Sequence, residues 1–252
     1  MSEIPSFGDK LRRIRYSISS TGLRRGLADV GTILFAYSPE ADKSFDKRFG
    51  TDTAGSVRPG DLGIADPDAR QNAVLYLPSP ARVTRWMLDH IGIDHRDFSF
   101  IDLGCGKGRV LLVASQYPFQ QIIGVEISPE LAEIARINAQ RYQPNSRRVA
   151  AIDVRNIDAT TADYPDSNLL VHLYHPFQTP FTELVLSRLE AAYEARPRRI
   201  DVAYLLYSSA TTPVKDVFSR FGWLREVRHE QSVLGQYDWL FYSTHLPPTG
   251  DR

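Results

Sequence analysis

The sequence predicts an α/β protein with a doubly wound, mostly parallel sheet of seven strands. From Tyr76 onward, apolar runs alternate with segments whose apolar residues recur at helical spacing. This alternation is typical of a parallel sheet with helices on both faces. The last two runs meet at Gly235, which indicates an antiparallel C-terminal hairpin. The apolar runs are Phe98–Leu103, Gln121–Ile127, Val149–Asp153, Leu169–Tyr174, Ile200–Tyr207, Leu224–Leu234 and Tyr237–Ser243.

Four predicted helices begin at a hydroxyl residue followed by proline. A Ser or Thr side chain at the N-cap accepts a hydrogen bond from a free backbone N–H, and proline at the next position has no N–H to leave unsatisfied. Apolar residues follow each pair at spacings of three and four. The four pairs are Ser79-Pro80, Ser128-Pro129, Thr179-Pro180 and Thr212-Pro213.

Composition separates residues 1–75, an N-terminal extension, from a domain at 76–246 and a tail at 247–252. The extension is rich in Gly, Ser, Asp and Arg, and one amphipathic helix is predicted over Leu23–Tyr37. The stretch from Lys10 to Ala28 is basic and contains no acid. It is interpreted either as an arm that contacts RNA or an acidic partner, or as a solvated helix face. The 42–75 stretch, which includes DKRFGTDTAG at 46–55, is a candidate lid, with a surface loop as the alternative.

Charge and cysteine content exclude several classes of protein. The 252 residues carry 30 Lys+Arg and 30 Asp+Glu, so the whole surface is not built to attract nucleic acid or anionic lipid. A single cysteine, Cys105, excludes a disulfide framework or a cysteine-rich zinc site. No apolar run approaches the length of a membrane span, and the first residues lack the apolar core of a secretory signal. We therefore expect a cytoplasmic protein with no metal and no membrane partner.

A glycine-rich turn follows the first apolar run. Asp102 precedes glycines at 104, 106 and 108, and Arg109 takes the place where a dinucleotide fingerprint has its third glycine. The P-loop pattern is also absent, because no Gly-Lys-Ser/Thr follows. An acid before the turn would repel a pyrophosphate but would attract an ammonium-bearing ligand. The turn therefore predicts a binding site for a cationic ligand.

Three further runs also end in polar residues, and ligands of such sheets bind beyond the carboxyl ends of the strands. Glu126 stands 24 positions after Asp102, where an acid can accept both hydroxyls of a ribose. Asp153 ends the third run and could accept a hydrogen from an adenine amino group. His175 follows the fourth run, and its position before Pro176 predicts an extended backbone.

Taken together, these motifs resemble the class I, seven-strand, Rossmann-like methyltransferases that use S-adenosylmethionine. The resemblance covers about residues 76–245. It depends on FIDLGCGKGR at 100–109, GVEISPEL at 124–131, AIDV at 151–154 and LYHPF at 173–177. YLPS at 76–79 is similar to a Tyr-x-Pro-Ser/Thr segment of small protein-lysine methyltransferases.

The resemblance implies S-adenosyl-L-methionine as cofactor and a role for each matching residue. Asp102, Gly104 and Gly106 would line its methionine moiety, Glu126 would hold the ribose, and Asp153 the adenine. The full set of implied cofactor-binding residues is Tyr76, Asp102, Gly104, Cys105, Gly106, Gly108, Glu126, Ile127, Asp153 and Val154.

The methyl acceptor is left open by the motifs, with a protein lysine amine as the leading hypothesis. His175 and Tyr174 are the candidate catalytic residues, and Pro176 and Phe177 the candidate substrate contacts. The single proline at this motif disfavours a DNA-adenine site, while RNA and small-molecule acceptors stay as alternatives. Two other classes remain: a non-catalytic scaffold on the same fold, and an NAD-linked dehydrogenase, which the glycine spacing disfavours.

Overall fold

The computed structural model describes residues 39–149, 151–176, 178–207, 211–231 and 237–245. The helix predicted over Leu23–Tyr37, the basic arm, Phe177, Gly235 and the tail at 247–252 lie outside these ranges.

A seven-stranded sheet forms the centre of the described structure and confirms the predicted fold class. The strands are β1 (Phe98–Leu103), β2 (Ile122–Val125), β3 (Asp153–Arg155), β4 (Asn168–Tyr174), β5 (Ile200–Tyr207), β6 (Arg225–Gln231) and β7 (Tyr237–Ser243). Their spatial order is β3-β2-β1-β4-β5-β7-β6. The first five pair in parallel, and β7 lies antiparallel to both β5 and β6. The order therefore reverses between β1 and β4, where such sheets form a crevice.

Seven described helices connect and precede these strands. They are α1 (Pro39–Phe49), α2 (Pro67–Asn72), α3 (Ala81–His90), α4 (Arg109–Ala114), α5 (Pro129–Arg141), α6 (Thr179–Ala195) and α7 (Thr211–Phe218). Among the described residues, none of the helices has the length and apolar character needed to cross a bilayer.

Two apolar cores lie on the two faces of the sheet, as expected for strands covered by helices on both sides. All six residues of β1 are buried. Phe98 and Phe100 belong to the core that includes residues of α3 and α4, whereas Ile101 and Leu103 belong to the core that includes residues of α6 and α7. Alternate side chains of one strand thus serve opposite cores, which explains the continuous apolar runs in the sequence.

Helix starts follow the predicted capping chemistry at Ser128 and depart from it at Ser79 and Thr179. Thr179 is already inside α6, whose N-cap is Gln178. The Ser128 side chain caps α5 by accepting from the N–H of Leu131 at 3.3 Å. At α3, however, Pro80 is the N-cap, and the buried Ser79 hydroxyl has no hydrogen-bond partner within the described structure. Ser79 lies one residue too early for its hydroxyl to reach the free N–H groups of the helix.

The third strand also differs from its prediction. The apolar run predicts a strand over Val149–Asp153, but β3 begins at Asp153 and ends at Arg155. Pairing with β2 decides these bounds, because Ile123 lies opposite Asp153 and Val125 opposite Arg155. Asp153 is therefore at the amino end of its strand.

Candidate functional site

A cavity of about 230 Å³ lies at the carboxyl ends of β1, β2 and β4, at the point where the strand order reverses. We call its lining residues from Asp102 to Pro176 the sheet wall, and those from Leu62 to Ser79 the covering wall. The sheet wall contains Asp102, Gly104, Cys105, Arg109, Val110, Val125, Glu126, Ile127, Leu131, Ile157, Asp158, Ala159, His172, Tyr174, His175 and Pro176. The covering wall contains Leu62, Ile64, Ala69, Asn72, Ala73, Val74, Leu75, Tyr76, Leu77, Pro78 and Ser79.

The glycine turn joins these two walls. Gly104 and Gly106 have φ of 78° and 53°, a left-handed conformation that side chains other than glycine rarely adopt. A Cβ on Gly106 would lie 2.2 Å from Cε2 of Tyr76, and one on Gly104 would lie 2.5 Å from Cβ of Pro176. The backbone of the turn therefore packs directly against Tyr76 on one side and Pro176 on the other.

Glu126 is buried beside the turn, where two backbone groups bind its carboxylate. The N–H of Gly106 donates to Oε2 and the N–H of Ser128 to Oε1, both at 2.8 Å. Burial raises the pKa of Glu126 above its ordinary value, and these two N–H groups counter part of that rise. Each oxygen keeps a second lone pair, so the carboxylate can still accept hydrogen bonds from a ligand.

Asp102 is 2% exposed and accepts a hydrogen bond from a residue that the sequence motifs do not single out. Nδ1 of His172 lies 2.6 Å from Oδ1 of Asp102. The parallel register places the two residues opposite each other on β1 and β4. Only strand pairing reveals this contact, because the two residues are 70 positions apart in the chain.

Asp158, rather than Asp153, is the carboxylate that the structure places at the cavity after β3. Asp153 is exposed, lies outside the cavity lining and pairs with Nε of Arg155 at 2.7 Å. Val154 is buried away from the cavity, and its carbonyl accepts from Arg136. Asp158 lines the cavity and caps a short 3₁₀ turn, with its Oδ1 accepting from the N–H of Thr160 at 2.7 Å. Asp158 follows the carboxyl end of β3, and ligands of such sheets bind beyond the carboxyl ends of the strands.

Tyr174, His175 and Pro176 line the cavity next to the glycine turn. His175 has a φ of 36°, so its backbone is left-handed instead of the extended form predicted for a residue before proline. Such a conformation in a residue other than glycine costs about 1–3 kcal/mol, and residues held in it cluster at functional sites. Burial lowers the pKa of the His175 imidazole, which favours its neutral form.

The DKRFGTDTAG stretch is fixed to the back of the glycine turn. The Asp46 carboxylate accepts from the Thr53 hydroxyl at 2.6 Å and from the N–H groups of Thr53 and Ala54 at 2.9 and 2.7 Å. The buried Arg109 donates through Nε to the Thr53 hydroxyl at 2.7 Å, and Nζ of Lys107 lies 2.9 Å from Oδ1 of Asp52. None of residues 46–55 lines the cavity. The part of the candidate lid that does line it runs from Leu62 to Leu75.

Most of the predicted site residues come together at this cavity. Tyr76, Asp102, Gly104, Cys105, Glu126, Ile127, Tyr174, His175 and Pro176 all line it. Gly106 lies outside the lining but donates to Glu126, and Gly108 supports the turn from behind, since a Cβ there would lie 3.1 Å from Cβ of Ala135. Burial raises the pKa of Cys105 well above its ordinary value, so its thiol stays protonated, as expected for a turn residue without a nucleophilic role.

Comparison with known proteins agrees with this arrangement. The family model described as "Methyltransferase domain" matches residues 100–194, which include the glycine turn, Glu126, Asp158 and His175. Residues 100–194 are thus similar to methyltransferase domains. The match covers β1 through most of α6, so it contains the sheet wall and leaves the covering wall outside.

Two curated relatives match shorter stretches of the domain. A protein-lysine N-methyltransferase of Saccharolobus islandicus is 35% identical over 69 residues, which are 27% of this chain and 42% of that protein. A ribosomal protein L11 methyltransferase of Klebsiella pneumoniae is 31% identical over 93 residues, 37% of this chain and 31% of that protein. The chain thus spans less than half the length of either relative.

A solved structure, the [4+2]-cyclase SpnF, superposes with a TM-score of 0.50 at 14% identity, covering 67% of this chain and 82% of that chain. At this identity the likeness describes the fold alone, and the fold does not by itself define the reaction.

Metal ligation has no candidate in the part of the chain that the structure describes. No group of three or more His, Cys, Asp or Glu side chains there could hold a metal ion.

Proposed function

We propose that this protein is an S-adenosylmethionine-dependent methyltransferase, with the side-chain amine of a protein lysine as the leading acceptor. The observation that carries the proposal is a set of three carboxylates around one cavity, at successive strand ends beside a glycine turn. They are Asp102 near the end of β1, Glu126 after β2 and Asp158 after β3.

The chemistry of these groups fits the cofactor. The cofactor carries an α-ammonium, two ribose hydroxyls and an adenine amino group, all of which can donate to a carboxylate. Asp102 suits the ammonium, Glu126 the ribose hydroxyls and Asp158 the adenine amino group. When bound, S-adenosylmethionine supplies a methyl group on an electrophilic sulfonium, so the protein's main task is to align the acceptor and exclude water.

The acceptor would enter beside Tyr174, His175 and Pro176. A lysine amine attacks only in its neutral form, and an apolar surrounding favours that form. The covering wall is mostly apolar there, with Val74, Leu75 and Leu77 in the lining. His175, with its lowered pKa, is neutral near pH 7 and can accept a proton from the incoming amine.

A protein acceptor is supported by the names of both curated relatives, which are methyltransferases of proteins. The same domain could serve an RNA or a small molecule, because the covering wall, where an acceptor would make contacts, lies outside the matched residues.

The cofactor assignment is tested by thermal unfolding with and without S-adenosylhomocysteine, in the wild type and in Asp102→Ala and Glu126→Ala. Ligand at about 100 times its dissociation constant adds about 2.7 kcal/mol to the free energy of unfolding, which is roughly 5–10 °C in a domain of this size. We expect this shift in the wild type and its loss in both variants, provided circular dichroism shows them folded. No shift in well-folded wild type at millimolar ligand contradicts the proposal.

The acceptor assignment is tested by incubating the protein with tritiated S-adenosylmethionine and a bacterial lysate separated into protein, RNA and small-molecule fractions. We expect label in the protein fraction, on lysine after digestion and mass spectrometry. Label confined to RNA or to small molecules would contradict the lysine assignment while leaving methyl transfer intact. Cofactor binding without label in any fraction would favour the non-catalytic alternative.

A further inference from the structure

The buried pair of Asp102 and His172 has a feature that the proposed cofactor chemistry does not explain. His172 is fully buried, lies on β4 directly opposite Asp102 and lines the cavity. Its Nδ1 binds Oδ1 of Asp102 at 2.6 Å. Its Nε2 has no hydrogen-bond partner within the described residues. A buried polar atom without a partner is uncommon and costs stability, so it calls for an explanation.

Two aromatic rings pack against His172 and limit how its ring can turn. The centroid distances are 6.3 Å to Phe100 and 5.7 Å to Trp239. The strand register sets His172 opposite Asp102, with Nδ1 at the carboxylate. An Nδ1–H in this position donates to the carboxylate, which accepts.

The hydrogen bond also orients Asp102. Oδ1 accepts from His172, and Oδ2 has no side-chain partner in the described part of the chain. Because His172 is held between two aromatic rings in a fixed strand register, the bond restricts rotation of the carboxylate. Oδ2 is therefore the oxygen that stays available to a cation in the cavity.

We propose that His172 is a positioning residue for the amino-acid end of the cofactor. Through its Nδ1–H it holds the Asp102 carboxylate in one orientation, so that Oδ2 receives the α-ammonium. This inference rests on the proposed function, because it assumes that Asp102 faces the ammonium. It goes further by assigning a role to a residue that the strand-end motifs do not contain.

Two ligands and two substitutions test this role by calorimetry on the full chain. S-adenosylhomocysteine carries the α-ammonium, and 5′-methylthioadenosine is the same thioether without the amino-acid portion. His172→Phe keeps an aromatic ring between Phe100 and Trp239 but removes the donor. His172→Asn places an amide N–H near the position of Nδ1 and so restores the donor.

We expect His172→Phe to weaken S-adenosylhomocysteine binding by about tenfold and to change 5′-methylthioadenosine binding by less than about threefold. His172→Asn should bind S-adenosylhomocysteine within about threefold of the wild type. If His172→Phe does not fold, His172→Leu takes its place, since it matches Asn in size and lacks the donor.

If the variant without the donor (His172→Phe or His172→Leu) binds both ligands more weakly by the same factor, the inference is wrong, because a merely structural role of His172 predicts that result. Unchanged binding in that variant, or failure of a folded His172→Asn to restore binding, would overturn it as well. If the wild type binds both ligands but the His172 variants do not show the expected changes in affinity, only the role of His172 is contradicted, and the proposed function is not. A folded wild type that binds neither ligand contradicts both proposals.

Discussion

The two walls of the cavity are built in different ways. The sheet wall holds buried carboxylates bound to backbone N–H groups or to a histidine, as for Glu126 and Asp102. The covering wall is mostly apolar, and its Tyr76 hydroxyl donates to the carbonyl of Thr53 at 2.9 Å, within the segment that precedes it. Polar groups held by a sheet suit a ligand that is always the same. An apolar wall outside the sheet can differ from one protein to another and so suit different acceptors. Under the proposed function, the sheet wall would bind the cofactor and the covering wall would largely select the acceptor.

The largest effect is expected where the two walls meet, at Gly106. Gly106→Ala must place a Cβ 2.2 Å from the Tyr76 ring and keep a φ of 53°. We expect the free energy of unfolding to fall by about 2–4 kcal/mol, from backbone strain and overpacking together, measured by urea denaturation.

Gly92→Ala is the matched control for this substitution. Gly92 has a φ of 75°, but nothing lies within 4 Å of a Cβ built there, so its variant carries the backbone cost alone. Equal losses at the two glycines would mean that the contact between the turn and Tyr76 does not constrain the site.

A smaller effect is expected at the sheet wall from Asp158→Asn. Its Oδ1 can keep capping the N–H of Thr160, while an NH₂ group in place of Oδ2 cannot accept from an adenine amino group. We expect S-adenosylhomocysteine to bind about three- to tenfold more weakly by calorimetry. Asp153→Asn, at the exposed end of β3, should leave binding unchanged. The reverse result would return the adenine role to Asp153.

The smallest effect concerns how stability varies with pH at His175. Burial lowers the pKa of His175 in the folded protein, so the unfolded chain takes up its proton first as pH falls. The stability from a neutral His175 is thus fully present above the ordinary histidine pKa of about 6.5 and is lost as pH falls toward the lowered folded value. His175→Gln should therefore lose less thermal stability than the wild type between pH 7.5 and 5.5.

His95→Gln provides the comparison for this measurement. Burial also lowers the pKa of His95, which lies outside the cavity with Nε2 3.1 Å from the carbonyl of Leu88. Its variant should likewise flatten the pH dependence of stability, but without altering methyl transfer. A His175→Gln variant that retains full transfer activity would remove His175 from the acceptor chemistry.

The sequence by itself determined the order of strands and helices and half of the sheet wall. Local features of the sequence can be recognised without a structure. They include the apolar runs, the glycine turn and the acids at 102 and 126. β1, β4, β5 and β7 agree with their predicted bounds to within one residue, because strands buried on both faces are mostly apolar along their whole length.

Only the tertiary structure decided which side chains complete the cavity. Asp158 lines the cavity and Asp153 does not, because pairing with β2 places Asp153 at the amino end of β3. His172 reaches Asp102 because β1 and β4 lie side by side in a register that no local pattern encodes. The position of the covering wall also depends on tertiary packing. Residues 62–79 contain no long periodic element, and they pack against residues distant in the chain, such as Leu131 of α5.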